Sequence, residues 1–371
     1  MGPSSNTHSS LLSFIRKGLK EDSLCVFPTD WGALIKEARR QGVSPVVFDG
    51  YSCCYDRGEV TAGEDMPAAM KKKWIASVYK DEMIAQSQLR SSTDMAELFA
   101  ANGIQTYVLK GQVIAECYPI PSHRRSVDMD CFLTSADGKE TDACERGNQV
   151  IEGQGIKVGR SFYKNSSFFF KDVHVENHRF LTPFRGNKLL TRFEVYLQNL
   201  LREDEGSDRI DGTWLCRPPV MVSALFLIEH SYSHFLHEGL TIRHVLDWVM
   251  FRRRHEGDID WDIFEKSIDE YGFRRFFNAY AHVGEFIVGM RDESDLTASE
   301  HRMIDSVWEG LDLHDTVEGF CGKLNLVGNT LRAAWKYRDF SPISMPHALW
   351  IQMKGFLFIR RPKIINAHNW F

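Results

Sequence analysis

Several familiar signals are missing from this sequence, and each absence removes a class of protein. None of the eight cysteines (Cys25, Cys53, Cys54, Cys117, Cys131, Cys144, Cys216 and Cys321) forms a C-x-x-C pair, which argues against a zinc ribbon. No run of apolar residues approaches bilayer-spanning length, so no transmembrane segment is expected. No signal peptide is visible, and Cys117 and Cys131 sit in apolar runs where a reduced thiol packs as a small hydrophobe. A cytoplasmic protein with free thiols is the resulting expectation. The formal net charge of −5 supplies no global basic field, which counts against a general polynucleotide binder but leaves room for a local basic patch. There is no internal repeat and no long low-complexity stretch.

What is present is an ordinary globular composition. The 371 residues are 43% apolar and 26% charged, enough to bury a substantial core in two or three structural units. From about Ser9 to Ala100 the apolar spacing is helical. Asp30 is an N-cap candidate for a helix that Gly42 and Pro45 close, and Ile75, Val78, Tyr79 and Met83 suggest one apolar face of a later helix. Near Gly103 the character changes. Ile104–Leu109 is rich in strand formers and ends at Lys110-Gly111; a short helix to Cys117 follows, then a loop with Pro119 and Pro121, then a strand from Val127 to Leu133. A polar helix (Gly138–Glu152) precedes a hairpin of Phe168–Phe170 and Val173–Phe180 turning at Lys171-Asp172. Helices return after Lys188, most clearly at Met221–Phe235 and Thr241–Arg253, with Arg202–Gly212 as an exposed loop. The expected division is an N-terminal helical region over 1–100, a mixed-sheet core over 101–186 and a C-terminal helical domain over 187–371.

The chemistry centres on Val127-Asp128-Met129-Asp130-Cys131-Phe132. Alternation on a strand sends Asp128 and Asp130 to one face and Val127, Met129 and Cys131 to the other, into a core. Adjacent carboxylates repel unless solvent screens them or a cation sits between them, and oxygen ligands of this kind suit Mg²⁺ or Mn²⁺. A solvated acidic face is the plain alternative. Three neighbours favour the cation. Lys110-Gly111 at a strand-to-helix turn suits an approach to phosphate oxygens. Arg124-Arg125 just before the strand would neutralise phosphate charge or pair with Asp128. In His174-Val175-Glu176-Asn177-His178 the two histidines and Glu176 share a strand face, so Glu176 is a third carboxylate candidate for a two-metal constellation.

These motifs carry a resemblance. Val108-Leu109-Lys110-Gly111, Tyr118-Pro119, Arg124 and Asp128-Met129-Asp130-Cys131-Phe132-Leu133 resemble the uncharacterised bacterial nucleotidyltransferase family of the DNA polymerase β-like superfamily, and Glu176-Asn177-His178 is similar to its later E-x-H strand. His230-Ser231-Tyr232-Ser233-His234, then Arg243 and Asp247, look like its following helices, and Asp30–Pro45 is similar to its opening helix and turn. The likeness covers roughly Asp30 to Ile263. One departure is Gln112 after Gly111, where the wider superfamily has Gly or Ser. The resemblance implies an α+β protein with a small mixed-sheet, polymerase β-like core flanked by helices. It implies ATP or another NTP as substrate, Mg²⁺ or Mn²⁺ as cofactor, and transfer of a nucleoside monophosphate with release of pyrophosphate. Asp128, Asp130 and Glu176 would be the metal-binding and catalytic residues. Lys110, Gly111, Gln112, Arg124 and Arg125 would bind the nucleotide, and His178, His230, His234, Arg243 and Asp247 would line the cleft. The acceptor stays open: a small molecule, a glycan precursor, RNA or a protein. A toxin-like transferase and a degenerate nucleotide- or partner-binding protein are the alternatives.

Three features stand beside this reading. His230, His234 and His237 share a helical face: zinc ligation is one reading, His230 and His234 lining the cleft and bonded to Asp247 or substrate is a better one, and partly buried histidines that support the domain interface are the commonest. The dipeptide His314-Asp315 lacks the spaced partners of an HD-type phosphohydrolase. From Trp350 to Phe371 basic and aromatic residues interleave, a pattern suited to a membrane surface, nucleic acid or partner but more simply to aromatics packed on the body.

Overall fold

The computed structural model describes residues 5–21, 23–61, 63–135, 142–160, 165–182, 187–204, 208–210, 212–310, 331 and 333–358, with side chains to residue 351. Four helices open the chain: α1 (Ser5–Gly18), α2 (Trp31–Arg40), α3 (Ser44–Asp56) and α4 (Ala68–Ala101). Asp30 caps α2 by accepting from the Ala33 backbone N–H at 3.0 Å, a contact worth about 1 kcal/mol. Pro45 sits in the first turn of α3, where its missing N–H costs no hydrogen bond. Helices α1 and α3 cross backbone to backbone. A Cβ on Gly50 would stand 1.9 Å from the Phe14 carbonyl oxygen, and one on Gly18 would stand 2.1 Å from that of Val46.

Next come β1 (Ile104–Val108), the one-turn helix α5 (Gln112–Ala115), β2 (Met129–Ser135), α6 (Ala143–Gly153), β3 (Gly159–Arg160), β4 (Asn165–Phe170) and β5 (Val173–His178). Helix α7 (Lys188–Arg202) and β6 (Leu215–Cys216) lead into α8 (Val220–His237), α9 (Ile242–His255), α10 (Trp261–Glu270), α11 (Arg274–Ile287) and α12 (Ala298–Glu309). Two further described helices cover Ala334–Phe340 and Met345–Phe358. The strands form one mixed sheet in the order β3-β4-β5-β2-β1-β6. Strand β2 lies inside it, antiparallel to β1 and parallel to β5. The chain is thus mixed helix and sheet, consistent with the α+β expectation.

Alternation along the strands divides the apolar residues between two clusters. Met129, Cys131 and Leu133 of β2 and Val173 and Val175 of β5 pack with Met95 and Phe99 of α4 and Ile151 of α6. On the other side Tyr107 and Cys216 join a larger cluster that contains Phe14, Val47, Phe226, Trp248 and Tyr280. Helices from before and after the sheet therefore share one apolar core, which covers the face on which the acidic residues emerge.

Several expectations are corrected. Val127 lies outside β2 and is 67% exposed, because the strand starts only at Met129. On α4 the buried pair is Trp74 and Val78, whereas Ile75, Tyr79 and Met83 are exposed: the helix docks along a narrower stripe than its apolar residues suggest. The exposed-loop reading of Arg202–Gly212 omitted the bridge between Arg209 and Cys216 of β6, the strand that joins the sheet edge by pairing parallel to β1. Free thiols are found at Cys53, Cys117, Cys131, Cys144 and Cys216, but Cys25 and Cys54 form a disulfide. The tight α1–α3 crossing brings Cys54 beside the segment that follows α1, a proximity that sequence spacing does not reveal. Cys321, His314-Asp315 and the tail beyond residue 351 lie outside the residues described in side-chain detail. Among the described residues no helix is long and apolar enough to cross a membrane.

A buried histidine joins three segments. His123, in the turn before β2, meets Asp49 of α3 at 2.7 Å and Glu82 of α4 at 2.8 Å. Burial opposes its charge, but hydrogen bonds to the two carboxylates prevail and raise its pKa above the ordinary 6.5. The stability this imidazolium contributes is complete below the unfolded value and lost as pH rises through the raised folded value. Unfolding free energies of the native chain and His123→Gln, measured by urea titration, should therefore converge as pH climbs from about 6.5 through the neutral range. Gly50→Ala should destabilise the chain by at least ~1–3 kcal/mol, because backbone rather than a flexible side chain blocks the added methyl. An unchanged denaturation midpoint would contradict that crossing.

Candidate functional site: a carboxylate and imidazole centre

Parallel pairing of β2 with β5 sets Asp130 directly opposite Glu176, and Phe132 opposite His178. Side chains facing each other across parallel strands share a sheet face, so the two acids meet although 46 positions separate them in the chain. Met129 and Cys131, both 0% exposed, anchor the opposite face of β2 and fix which side the aspartates take. Asp128 lies just ahead of the strand, where the Ser126 hydroxyl donates to its carbonyl at 2.9 Å. Gly111 turns the chain between β1 and α5 at φ +66°, a left-handed conformation that glycine accepts without strain. Helix α5 has only four residues, too short for its dipole to make a phosphate site by itself.

Charges around Asp130 are closely matched. One of its carboxylate oxygens meets Nε2 of His178 at 2.9 Å and the other meets Nζ of Lys110 at 2.9 Å. Lys110 also lies 2.9 Å from Nε2 of His230 on α8. Burial works against the charge on Asp130, but the Lys110 ammonium and the His178 hydrogen bond outweigh it and hold the carboxyl well below its usual range. The half-buried Glu176 accepts from Asn165 at 2.7 Å and lies 3.6 Å from His178. Contact with His178 lowers its pKa against the opposing effects of burial and of Asp130. At Asp128 the balance reverses: burial, reinforced by the charge of Asp130, raises the carboxyl above its ordinary range.

A second polar assembly lies beside the first. Arg124 donates through Nε and Nη2 to the two oxygens of Asp247 on α9, at 2.9 and 2.7 Å, and the Tyr118 hydroxyl donates to the same carboxylate at 2.9 Å. All three side chains are buried. Burial alone would raise Asp247, but the Arg124 charge and hydrogen bonds keep it below its usual range. Arg243 donates to the Arg125 carbonyl oxygen at 3.1 Å, and its stem covers Gly42. The Arg125 side chain faces Asp81 at 3.8 Å rather than Asp128, and Gln112 donates to Ser92 at 3.2 Å.

The structure therefore gathers Asp128, Asp130, Glu176, Lys110, His178 and His230 in one place, with Arg124, Asp247 and Arg243 alongside. His230 meets Lys110, and His234 faces Glu238 at 2.9 Å and stacks on His244; the expected bonds from these histidines to Asp247 are replaced by Arg124 and Tyr118. The three-histidine zinc reading finds no support: the groups of metal-capable side chains among the described residues do not include His230, His234 and His237 together. Two of those groups do fall here, Asp128–His174–Glu176 and Asp130–Glu176–His178, each with ligand atoms within 4.8 Å of one another. Carboxylate oxygens with an imidazole nitrogen form a donor set that fits a divalent cation. His174 was visible in the alternating H-x-E-x-H pattern but was not among the expected site residues. Asn165 carried no sequence signal, because only the β4–β5 pairing brings it to Glu176.

The fold and these groups define an α+β protein with a partly buried acidic centre whose side chains could hold a cation. By sequence, the chain belongs to the family described as Uncharacterised nucleotidyltransferase, which matches residues 28–286. No curated protein and no solved structure matches it.

The Arg124–Asp247 pair gives a direct test of the assembly. Removing one member of a buried bidentate pair leaves an uncompensated charge, so Arg124→Met should cost ~3–5 kcal/mol in chemical denaturation. The double variant Arg124→Met/Asp247→Leu should lose clearly less than the two single losses summed. Additive losses would mean the residues are not coupled.

Proposed function

We propose that the chain transfers a nucleoside monophosphate from a nucleoside triphosphate to an acceptor and releases pyrophosphate. The observation that carries this reading is the pairing of Asp130 with Glu176 across parallel strands beside Asp128, within a chain of nucleotidyltransferase family. The acceptor oxygen attacks the α-phosphorus, the bond to the bridging oxygen of the β-phosphate breaks, and the acceptor proton passes to solvent or a nearby base. A bound Mg²⁺ or Mn²⁺ supplies neutralisation of charge on the transferred and leaving phosphates. Asp128, Asp130 and Glu176 are its proposed holders. The low pKa of Glu176 suits an ionised ligand better than a proton acceptor. Lys110 and Arg243 offer positive charge beside the acids; Arg124, tied to Asp247, orients the turn that leads into Asp128. The core is taken as the polymerase β-like unit over residues 101–186, flanked by the helical regions 1–100 and 187–371.

One observation favours a second reading. Both oxygens of Asp130 are already engaged by Lys110 and His178, as in a protein that binds a nucleotide without turning it over. Incubation with each α-labelled NTP and Mg²⁺ or Mn²⁺ separates the two. Transfer of label with pyrophosphate release, lowered roughly 10²-fold or more by Asp128→Asn and Asp130→Asn, is expected if these charges act in the transition state. Nucleotide binding without turnover would select the second reading, and label on RNA or on a protein would identify the acceptor class. Turnover insensitive to both substitutions would remove the site from the reaction.

A further inference from the structure

The two metal-capable groups share Glu176 but differ in how far the protein has already satisfied them. In Asp130–Glu176–His178, one Asp130 oxygen is hydrogen bonded to the imidazole and the other is ion-paired with the Lys110 ammonium at 2.9 Å, and Lys110 is itself 2.9 Å from His230. Asp130 is 2% exposed, so this compensation is built into the interior. A cation there would have to displace an ammonium that is part of the packing.

The group Asp128–His174–Glu176 contrasts at the two residues it does not share. All three residues are partly open to solvent. Among the described residues, neither the Asp128 carboxylate nor the His174 ring nitrogens take part in a hydrogen bond or ion pair. Asn165 holds one oxygen of Glu176 at 2.7 Å, and Phe169 packs on the His174 ring with centroids 5.0 Å apart, which restrains both side chains. The carboxylates of Asp128 and Glu176 lie within 4.8 Å of each other and repel, and among the described residues no hydrogen bond links either of them to the His174 ring. A cation entering from solvent would satisfy all three. Its donor set includes nitrogen, which suits a transition-metal ion, whereas Mg²⁺ favours oxygen and gives up water reluctantly.

We propose that Asp128, His174 and Glu176 form a single nitrogen- and oxygen-ligated cation site that prefers Mn²⁺ to Mg²⁺, while the Lys110 ammonium serves Asp130 in place of a second protein-held ion. The proposal rests on the cation-dependent reading of the site, replaces Asp130 by His174 among the proposed holders, and specifies stoichiometry and metal. It makes Lys110 a fixed charge of the centre rather than a side chain free to follow the triphosphate.

Nucleotide-free full-length protein titrated with Mn²⁺ provides the test, with binding counted by EPR and ligands identified by pulsed EPR. One ion per chain is expected, with ¹⁴N coupling from one imidazole, and Mg²⁺ should compete only at roughly tenfold or more higher concentration. His174→Ala should abolish the coupling and weaken Mn²⁺ by at least ~10-fold, while His178→Gln should retain the coupling. Lys110→Met should raise the count to two. The native protein's coupling reads the ligand directly, so the test survives a variant that fails to fold. Absence of ¹⁴N coupling, its loss in His178→Gln instead, or two ions on the native chain would overturn the proposal. Label transfer from NTP with no nitrogen coupling would leave the proposed reaction standing and sink this assignment; coupling without transfer would do the reverse.

Discussion

An ionised carboxylate at Asp130, nearly sealed from solvent, is the constraint around which the rest of the centre is arranged. A lone buried charge would cost several kcal/mol or be neutralised by protonation. This one is kept by two positively polarised groups from different parts of the chain: Lys110 from the end of β1 and His178 from the end of β5. Both depend on the sheet order, since β1 and β5 are the immediate neighbours of β2. The reach of Lys110 to His230 then ties this charge balance to α8, so the packing of the helical layer and the electrostatics of the sheet face are one problem.

The Arg124–Asp247–Tyr118 assembly repeats the solution a short distance away. Buried charge is again tolerated only because a bidentate partner and a hydroxyl satisfy it. It fixes the turn before β2 against α9, and thus the approach of the chain to Asp128. On the far side of that turn His123 binds α3 and α4. The segment leading into the acidic strand is therefore held by helices from both ends of the sequence, which themselves share an apolar core with the close α1–α3 crossing. Among the described residues the Asp128 carboxylate has no such partner, so the two nearby aspartates differ: Asp130 is paired within the structure and Asp128 is not.

Much of this was legible from the chain. Alternation in Asp128–Phe132 and His174–His178 gave the shared face, since side-chain period two needs no tertiary information. The hairpin turning at Lys171-Asp172 and the cap at Asp30 follow from local backbone preferences, and both are present. Boundaries were less secure: Val127 has strand-forming chemistry, yet no partner strand pairs it and it remains exposed. Similarly, α4 has more apolar residues than its neighbours cover. The Cys25–Cys54 disulfide departs from the free-thiol expectation, because cysteine spacing records sequence distance whereas a disulfide requires proximity.

By itself, then, the sequence determined the acidic strand, the glycine turn before it, the later strand with Glu176 and the family to which they belong. Those are local patterns, carried by residue type and spacing. Only the tertiary structure decided how the charges pair: Lys110 with Asp130, Arg124 with Asp247 instead of outward, and His174 beside Asp128 and Glu176 with no polar partner among the described residues. Charge pairing depends on distances of a few ångströms between segments far apart in the chain, and strand order and helix docking alone set those distances.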